Sequence, residues 1–310
     1  MPWTGSRNTL TFTGRTIYGP CEGRAAGPWL DPARGDTVPD SLASSPDQRF
    51  VDRPVWAPGQ SGTKPAIDRV VVEAPLEIRI NGQPVVTVMR TPGHDRELAV
   101  GMAVAEGWTE VGEPAAYSLP DPSSLHPEEV GNIAVLELEG SFEPKPRSLA
   151  SSACGVCGKQ AIADLEVRSR PVASRLQVTP EIVAGLPDTL RVEQAVFDRT
   201  GGAHAAGLFS ASGELLCVRE DVGRHNAVDK VVGWAVLGGR ELGDTILCVS
   251  GRVGFEIAQK AVVAGIPVVA AVSAPSSLAI DVAERFRVTL CGFVRGHDFN
   301  VYAHSTRIAR

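Results

Sequence analysis

From residue 245 to residue 294 the chain alternates short apolar runs with longer amphipathic stretches. The spacing predicts strand 245–249, helix 255–264, strand 267–272, helix 277–286 and strand 288–294. Strands joined by helices must lie parallel, because a crossover that holds a helix returns the chain to the same edge, and such crossovers are right-handed. This stretch therefore fixes the C-terminal half as a layered α/β sheet with flanking helices. It also puts the loops after the three strands on one edge, where open sheets of this kind bind ligands.

Elsewhere the signals are more local. A hairpin is predicted from 203–210 and 214–219 around Ala211-Ser212-Gly213, with a helix at 225–237. Further upstream, 70–80 and 84–89 read as strands joined at Asn81-Gly82, followed by a helix at 95–106 between Asp95 and the stop at Gly107, and a strand at 132–139. Residues 158–167 have a helical pattern, Thr179-Pro180 opens another helix, and 188–199 forms a third that ends at Gly201-Gly202. Residues 1–65 show no sustained apolar period and are expected to be a disordered leader. The division is then leader 1–65, a smaller β-rich N-terminal subdomain 66–147, a mobile loop 148–160, and the α/β domain 161–310.

Bulk properties remove whole classes of function. With 43% hydrophobic residues among 310, the core needs no metal or disulfide staple. A formal net charge of −6 excludes a general nucleic-acid binder, so an anionic ligand must be held by a local cluster of Arg, Lys and helix termini. No run of about 18 apolar residues suggests a membrane span, and MPWTGSRNTL lacks a signal-peptide pattern, so the expected location is the cytoplasm.

Six cysteines are too sparse for a disulfide framework. Cys217, Cys248 and Cys291 fall in apolar runs and read as core residues, and Cys21 lies in the leader. That leaves Cys154 and Cys157, two residues apart in SSACGVCGK, directly before a predicted helix and beside Lys159. A helix N-terminus and a lysine both stabilise a thiolate, which makes the pair suited to nucleophilic sulfur chemistry. Half of a structural zinc site, a redox pair and inert loop cysteines are the competing readings. No second CxxC is present, and His204 lacks the H-x-E pattern of zinc deaminases.

Two further features point to an anion. The run EDVGRHNAVDK (220–230) sits between a strand and a helix, so Arg224, His225 and Asn226 at the helix start can join the helix amides around a ligand. The loops Ser250-Gly251-Arg252, Ser273–Ser277 and Arg295-Gly296-His297-Asp298 follow parallel strands, and Arg252 and Arg295 line the same edge. No G-x-G-x-x-G or G-x-x-x-x-G-K-[ST] phosphate loop is present. For each loop, a plain strand-to-helix connection is the alternative.

In that order CGVCGK, FDRTGGAHAAG, EDVGRHNAVDKVVG, SGRVGFEIAQKA, SAPSSLAIDVAE and GFVRG resemble the FdhD family of formate dehydrogenase accessory sulfurtransferases, from about residue 67 to the C-terminus. The resemblance implies a cytidine-deaminase-like α/β fold and a cytoplasmic homodimer. It also implies a carrier that takes sulfur from a cysteine desulfurase and delivers it to the bis-molybdopterin guanine dinucleotide molybdenum cofactor for a formate dehydrogenase. On that pattern Cys154 carries the persulfide and Cys157 assists. The guanine-nucleotide part of the cofactor would lie near Phe293, Val294, Arg295, Gly296, His297 and Asp298, with no metal of the protein's own. A cofactor-binding chaperone without covalent sulfur chemistry, and a thiol oxidoreductase, are the alternatives.

Overall fold

The computed structural model describes residues 47–59, 62–111, 116–140, 142, 162–163, 165–166 and 169–309. In chain order the strands are β1 (Phe50–Gly59), β2 (Gly62–Val71), β3 (Ala74–Ile80), β4 (Gln83–Arg90), β5 (Ala116–Ser118), β6 (Ile133–Glu137), β7 (His204–Ser210), β8 (Leu215–Asp221), β9 (Thr245–Val249), β10 (Val268–Ala271), β11 (Thr289–Arg295) and β12 (Asp298–Ala303). The helices are α1 (Asp95–Glu106), α2 (Pro180–Val192), α3 (Ala195–Thr200), α4 (Arg224–Leu237), α5 (Phe255–Val263) and α6 (Ser277–Arg285). No helix among the described residues is long and apolar enough to cross a membrane.

The main sheet has the order β12-β11-β10-β9-β7-β8, with β9, β10 and β11 parallel and β7 antiparallel to β9. Period-2 alternation divides its apolar side chains between two layers. Ile246, Cys248, Val268, Ala270 and Cys291 face one layer, which holds Val183, Leu186 and Leu190 of α2. Leu247, Val249, Val269 and Ala271 face the other, which holds Val231 of α4, Ile257 and Ala261 of α5, and Val282 of α6. Each fully buried Ile, Leu or Val contributes about 1.5–3 kcal/mol, so the two layers are what hold the sheet's edge loops in place. Thr179 caps α2 by accepting from Ile182 N, with Pro180 at its first turn, as the sequence indicates. α2 continues through Pro187 to Val192, however, and α3 follows as a separate short helix, so the third helix expected at 188–199 is divided between them.

The second sheet has the order β4-β3-β6-β5. Its hairpin turns at Asn81 (φ 49) and Gly82 (φ 77), the two positive values that a tight two-residue turn requires. Leu98, Ala99, Met102 and Ala103 of α1 close this sheet's core, together with Leu76, Ile78 and Leu136. The opposite side of α1 lies directly on α4. A Cβ on Gly101 would be 1.8 Å from the Asp229 carbonyl oxygen, and one on Gly233 would be 1.9 Å from that of Glu97, so only glycine permits this backbone contact. Arg219 of β8 also pairs with Glu97 of α1, at 2.7 Å. The described residues from 47 on accordingly belong to one compact unit, in which α1 and the second sheet pack on the α/β part through α4.

Of the leader expected over 1–65, residues 1–46 lie outside the described residues, and 50–59 and 62–65 are strand instead. β1 and β2 form an antiparallel ribbon paired from Phe50↔Val71 to Gly59↔Gly62. Its base is fixed by Phe50, whose ring lies 4.8 Å from the Arg69 guanidinium and 5.1 Å from that of Arg199. Pro54 and Pro58, together with the charges of FVDRPVWAPG, hide this strand from a search for apolar alternation. A two-stranded ribbon has only edge strands, which tolerate proline.

Candidate functional site

The parallel strands bring their C-terminal ends to one edge, and antiparallel β7 adds its N-terminal end beside β9. The loops here are tied together. Val253, after β9, pairs with Pro275, after β10; Val253 N donates to Ala274 O at 3.2 Å and Ser276 N to Val253 O at 2.9 Å. Ser250 N donates to Ala205 O, and Ala205 N donates to Ser250 Oγ at 2.9 Å, which fixes the start of β7 against the end of β9. The edge is thus held by hydrogen bonds on both sides before any ligand arrives.

The polar run 220–230 divides into groups that build the turn and groups that do not. Glu220 accepts from Val196 N and Phe197 N, capping α3. Asp221, fully buried, accepts from Thr91 N, Gly223 N, Asn226 Nδ2 and Lys230 Nζ, the last at 2.7 Å. Lys260 Nζ meets Asp229 at 2.7 Å in a second buried pair. Asn226 is 8% exposed and its amide donates to Met89 O and Asp221. This corrects its expected place among the ligand-facing residues: its donors are directed inward, and it positions the turn. Arg224 and His225 remain.

Arg224 Nε is shielded from solvent and has no hydrogen-bond partner, and among the described residues nothing else pairs with this guanidinium. Arg224 and His204 both lie against the bare backbone of Gly251: a Cβ there would be 3.5 Å from His204 Nδ1 and 3.8 Å from Arg224 Cδ. Burial, then the charges of Arg224 and Arg252, holds the His204 imidazole below the ordinary histidine range, with Asp221 opposing. His225 Nδ1 is 3.1 Å from Glu256 Oε2; burial lowers this histidine to about 4, against the pull of Glu256. Arg252 is exposed on the loop after β9. Sequence reasoning did not place His204 here. The signal lay in topology: an antiparallel strand next to β9 brings its first residue to the edge where the parallel strands end.

At the far end of the edge, the register of β11 and β12 shifts between Gly292 and Arg295. Phe293 takes a positive φ of 55° there, its N–H donates to Ser273 O, and its side chain is 39% exposed. Gly292 has no space for a side chain, since a Cβ would be 2.9 Å from both Pro275 and Tyr302. Arg295 is exposed, 5.9 Å from the Phe293 ring, and Gly296, His297 and Asp298 form the exposed turn. Val294 is fully buried in the α2-side core, so its side chain lines the core where the ligand edge was expected. Two strand spacings, roughly 10 Å, separate the β9 and β11 ends of the edge.

Cys154 and Cys157, with the segment 148–160 expected to be mobile, lie outside the described residues. Cys217, Cys248 and Cys291 are buried, as expected of core residues; burial pushes Cys217 and Cys291 up to about 12 and raises Cys248 as well, which makes them inert as thiolates.

A profile of the FdhD/NarQ family matches residues 71–309. The sulfur carrier protein FdhD of Streptomyces coelicolor is 46% identical over 270 residues, which cover 81% of this chain and 92% of that one. The protein of the same name from Mycobacterium tuberculosis is 45% identical over 253 residues, covering 78% and 92%. That from Thermoplasma acidophilum is 42% identical over 254 residues, covering 80% and 89%. The crystal structure of a formate dehydrogenase accessory protein from Desulfotalea psychrophila shares the fold, with a TM-score of 0.68 at 22% identity, over 84% of this chain and 99% of that chain.

Proposed function

The chain belongs to the FdhD/NarQ family, and on that premise we propose that it carries sulfur as a persulfide on Cys154 for the maturation of a formate dehydrogenase. The Cys154 thiolate takes the outer sulfur of a donor persulfide, formed by a cysteine desulfurase, and the donor leaves as a thiolate. The cargo is the bis-molybdopterin guanine dinucleotide molybdenum cofactor, bound as substrate along the strand-end edge. Arg295 and Phe293 would meet a guanine-nucleotide arm, while Arg224 and Arg252 would meet anionic groups. Cys157 assists, and the working unit is a cytoplasmic homodimer.

One observation carries the reading: relatives named for sulfur carriage align over about four-fifths of a chain whose one closely spaced thiol pair is Cys154 and Cys157. Mass spectrometry after incubation with a desulfurase and cysteine tests it. The Cys154 peptide should gain one sulfur atom, removable by a reducing thiol. An unmodified Cys154, or a Cys154→Ala protein that still supports formate dehydrogenase activity, would refute sulfur carriage and favour a chaperone that only binds the cofactor.

A further inference from the structure

The side chains gathered where β7, β8 and β9 meet the edge share one property: among the described residues they lack acceptors. Arg224 Nε is buried and unpaired, and neither the rest of that guanidinium, nor Arg252, nor the His204 ring makes a hydrogen bond or ion pair there. A buried cationic donor without an acceptor is costly unless a ligand or ion completes it. Arg307 Nε is also unpaired, but that guanidinium already donates to Arg287 O, Thr289 Oγ1, Val172 O and Ser174 O. Arg224 has no such outlet.

We propose that His204, Arg224 and Arg252 form one oxyanion subsite, which takes a tetrahedral dianion such as a phosphate group of the cargo together with a proton that goes to His204. The inference rests on the strand-end edge being the place where anionic cargo binds. Three elements supply it: His204 opens β7, Arg224 opens α4 and Arg252 follows β9. Gly251 forms the floor, where an added Cβ would sit in ordinary contact with both His204 and Arg224, at 3.5 and 3.8 Å.

The coupling to a proton follows from the charges present. In the free protein, protonating His204 would add a third positive charge beside Arg224 and Arg252, and the one carboxylate facing it, Asp221 of β8, is already held by Lys230. The neighbouring groups of α5 are engaged elsewhere, Glu256 with His225 and Lys260 with Asp229. A bound dianion reverses the sign of the local field and gives an imidazolium N–H an acceptor. One proton is drawn from solvent and one N–H bond forms; nothing is oxidised or reduced. Affinity should therefore rise as pH falls through the His204 titration, by at most about tenfold per pH unit for one linked proton.

Sulfate is the probe, since it is a tetrahedral dianion that does not titrate in this range. Histidine Cε1–H resonances of the full chain are followed against pH with and without saturating sulfate. The His204 midpoint should move up, the His225 midpoint should stay low, and sulfate affinity should increase on acidification. Arg224→Gln and Arg252→Gln should each weaken sulfate about tenfold, and His204→Gln should abolish the pH slope. GDP should displace sulfate, and guanosine should not. The assignment is overturned if binding is independent of pH, if the slope survives in His204→Gln, if both arginine variants keep full affinity, or if guanosine competes as well as GDP. Sulfate reads the subsite without thiol chemistry, so failure here and failure of the Cys154 test are separate results.

Discussion

Replacing Gly233 by alanine should destabilise the protein, although alanine favours helix. A Cβ on Gly233 would stand 1.9 Å from the Glu97 carbonyl oxygen and 2.9 Å from Gly101 N. Ordinary contact needs roughly 3.3 Å, so α1 must retreat by ~1.4 Å. α1 cannot do so freely, because Leu98, Ala99 and Met102 on its other side are buried against β3 and β6. Overpacking of about 3 kcal/mol, less about 1 kcal/mol of helix propensity, leaves a net loss of about 2 kcal/mol. For a unit of this size that corresponds to a fall in Tm of roughly 4–8 °C. Gly185 is the control: it lies inside α2, and a methyl group placed there would meet nothing within 4 Å, so Gly185→Ala should stabilise by up to about 1 kcal/mol. Urea midpoints of the two variants should move in opposite directions. Movement in the same direction would refute the argument that backbone contact at the α1–α4 crossing decides the sign.

Three other outcomes follow from the described contacts. A chain beginning at Thr63 loses β1 and the Phe50 stack and should melt lower than one beginning at Asp47; equal melting would show the ribbon contributes nothing. Arg295→Ala, at an exposed site, should leave unfolding unchanged and weaken GDP about tenfold by calorimetry, with unchanged affinity removing Arg295 from the edge's binding role. Because the unfolded His225 takes a proton near its ordinary value of 6.5 and the folded one only near about 4, stability from this group is present above 6.5 and lost progressively as pH falls towards 4. His225→Gln should flatten that part of the urea-midpoint profile, and an identical slope would assign it to other groups.

The βαβ alternation made the main sheet legible, because strands such as Thr245–Val249 are buried on both faces and carry an uninterrupted apolar signal. The edge they share, and Arg252 and Arg295 on it, followed from topology alone. What stayed hidden depends on partners far away in sequence. The inward aim of Asn226 requires Met89 O, which no local pattern can announce. Val294 is buried because the register shift at Gly292 turns Phe293 outward. The Gly101–Gly233 crossing needs two helices in place before either glycine has a purpose, and residues 50–55 and 67–71 of the β1–β2 ribbon include no buried side chain to give it a period.

The Asp221 hub has a consequence for the order of folding. The turn that presents Arg224 takes its shape from Thr91, whose N–H meets Asp221 and whose hydroxyl accepts from Val222 N, across about 130 residues of chain. Closing a loop of that length carries a length-dependent entropic cost of about 4 kcal/mol, recovered only when the β3–β4 hairpin and α1 have docked. The sheet can therefore assemble around β9 to β11 before the turn that presents Arg224 exists. Amide protection at Val222, which needs the Thr91 hydroxyl, is expected to arrive after that of β9 and β10 in pulse-labelled refolding. On the proposed function, completion of the fold is then the condition for loading, since the turn that presents Arg224 takes its shape only once Thr91 has docked on Asp221.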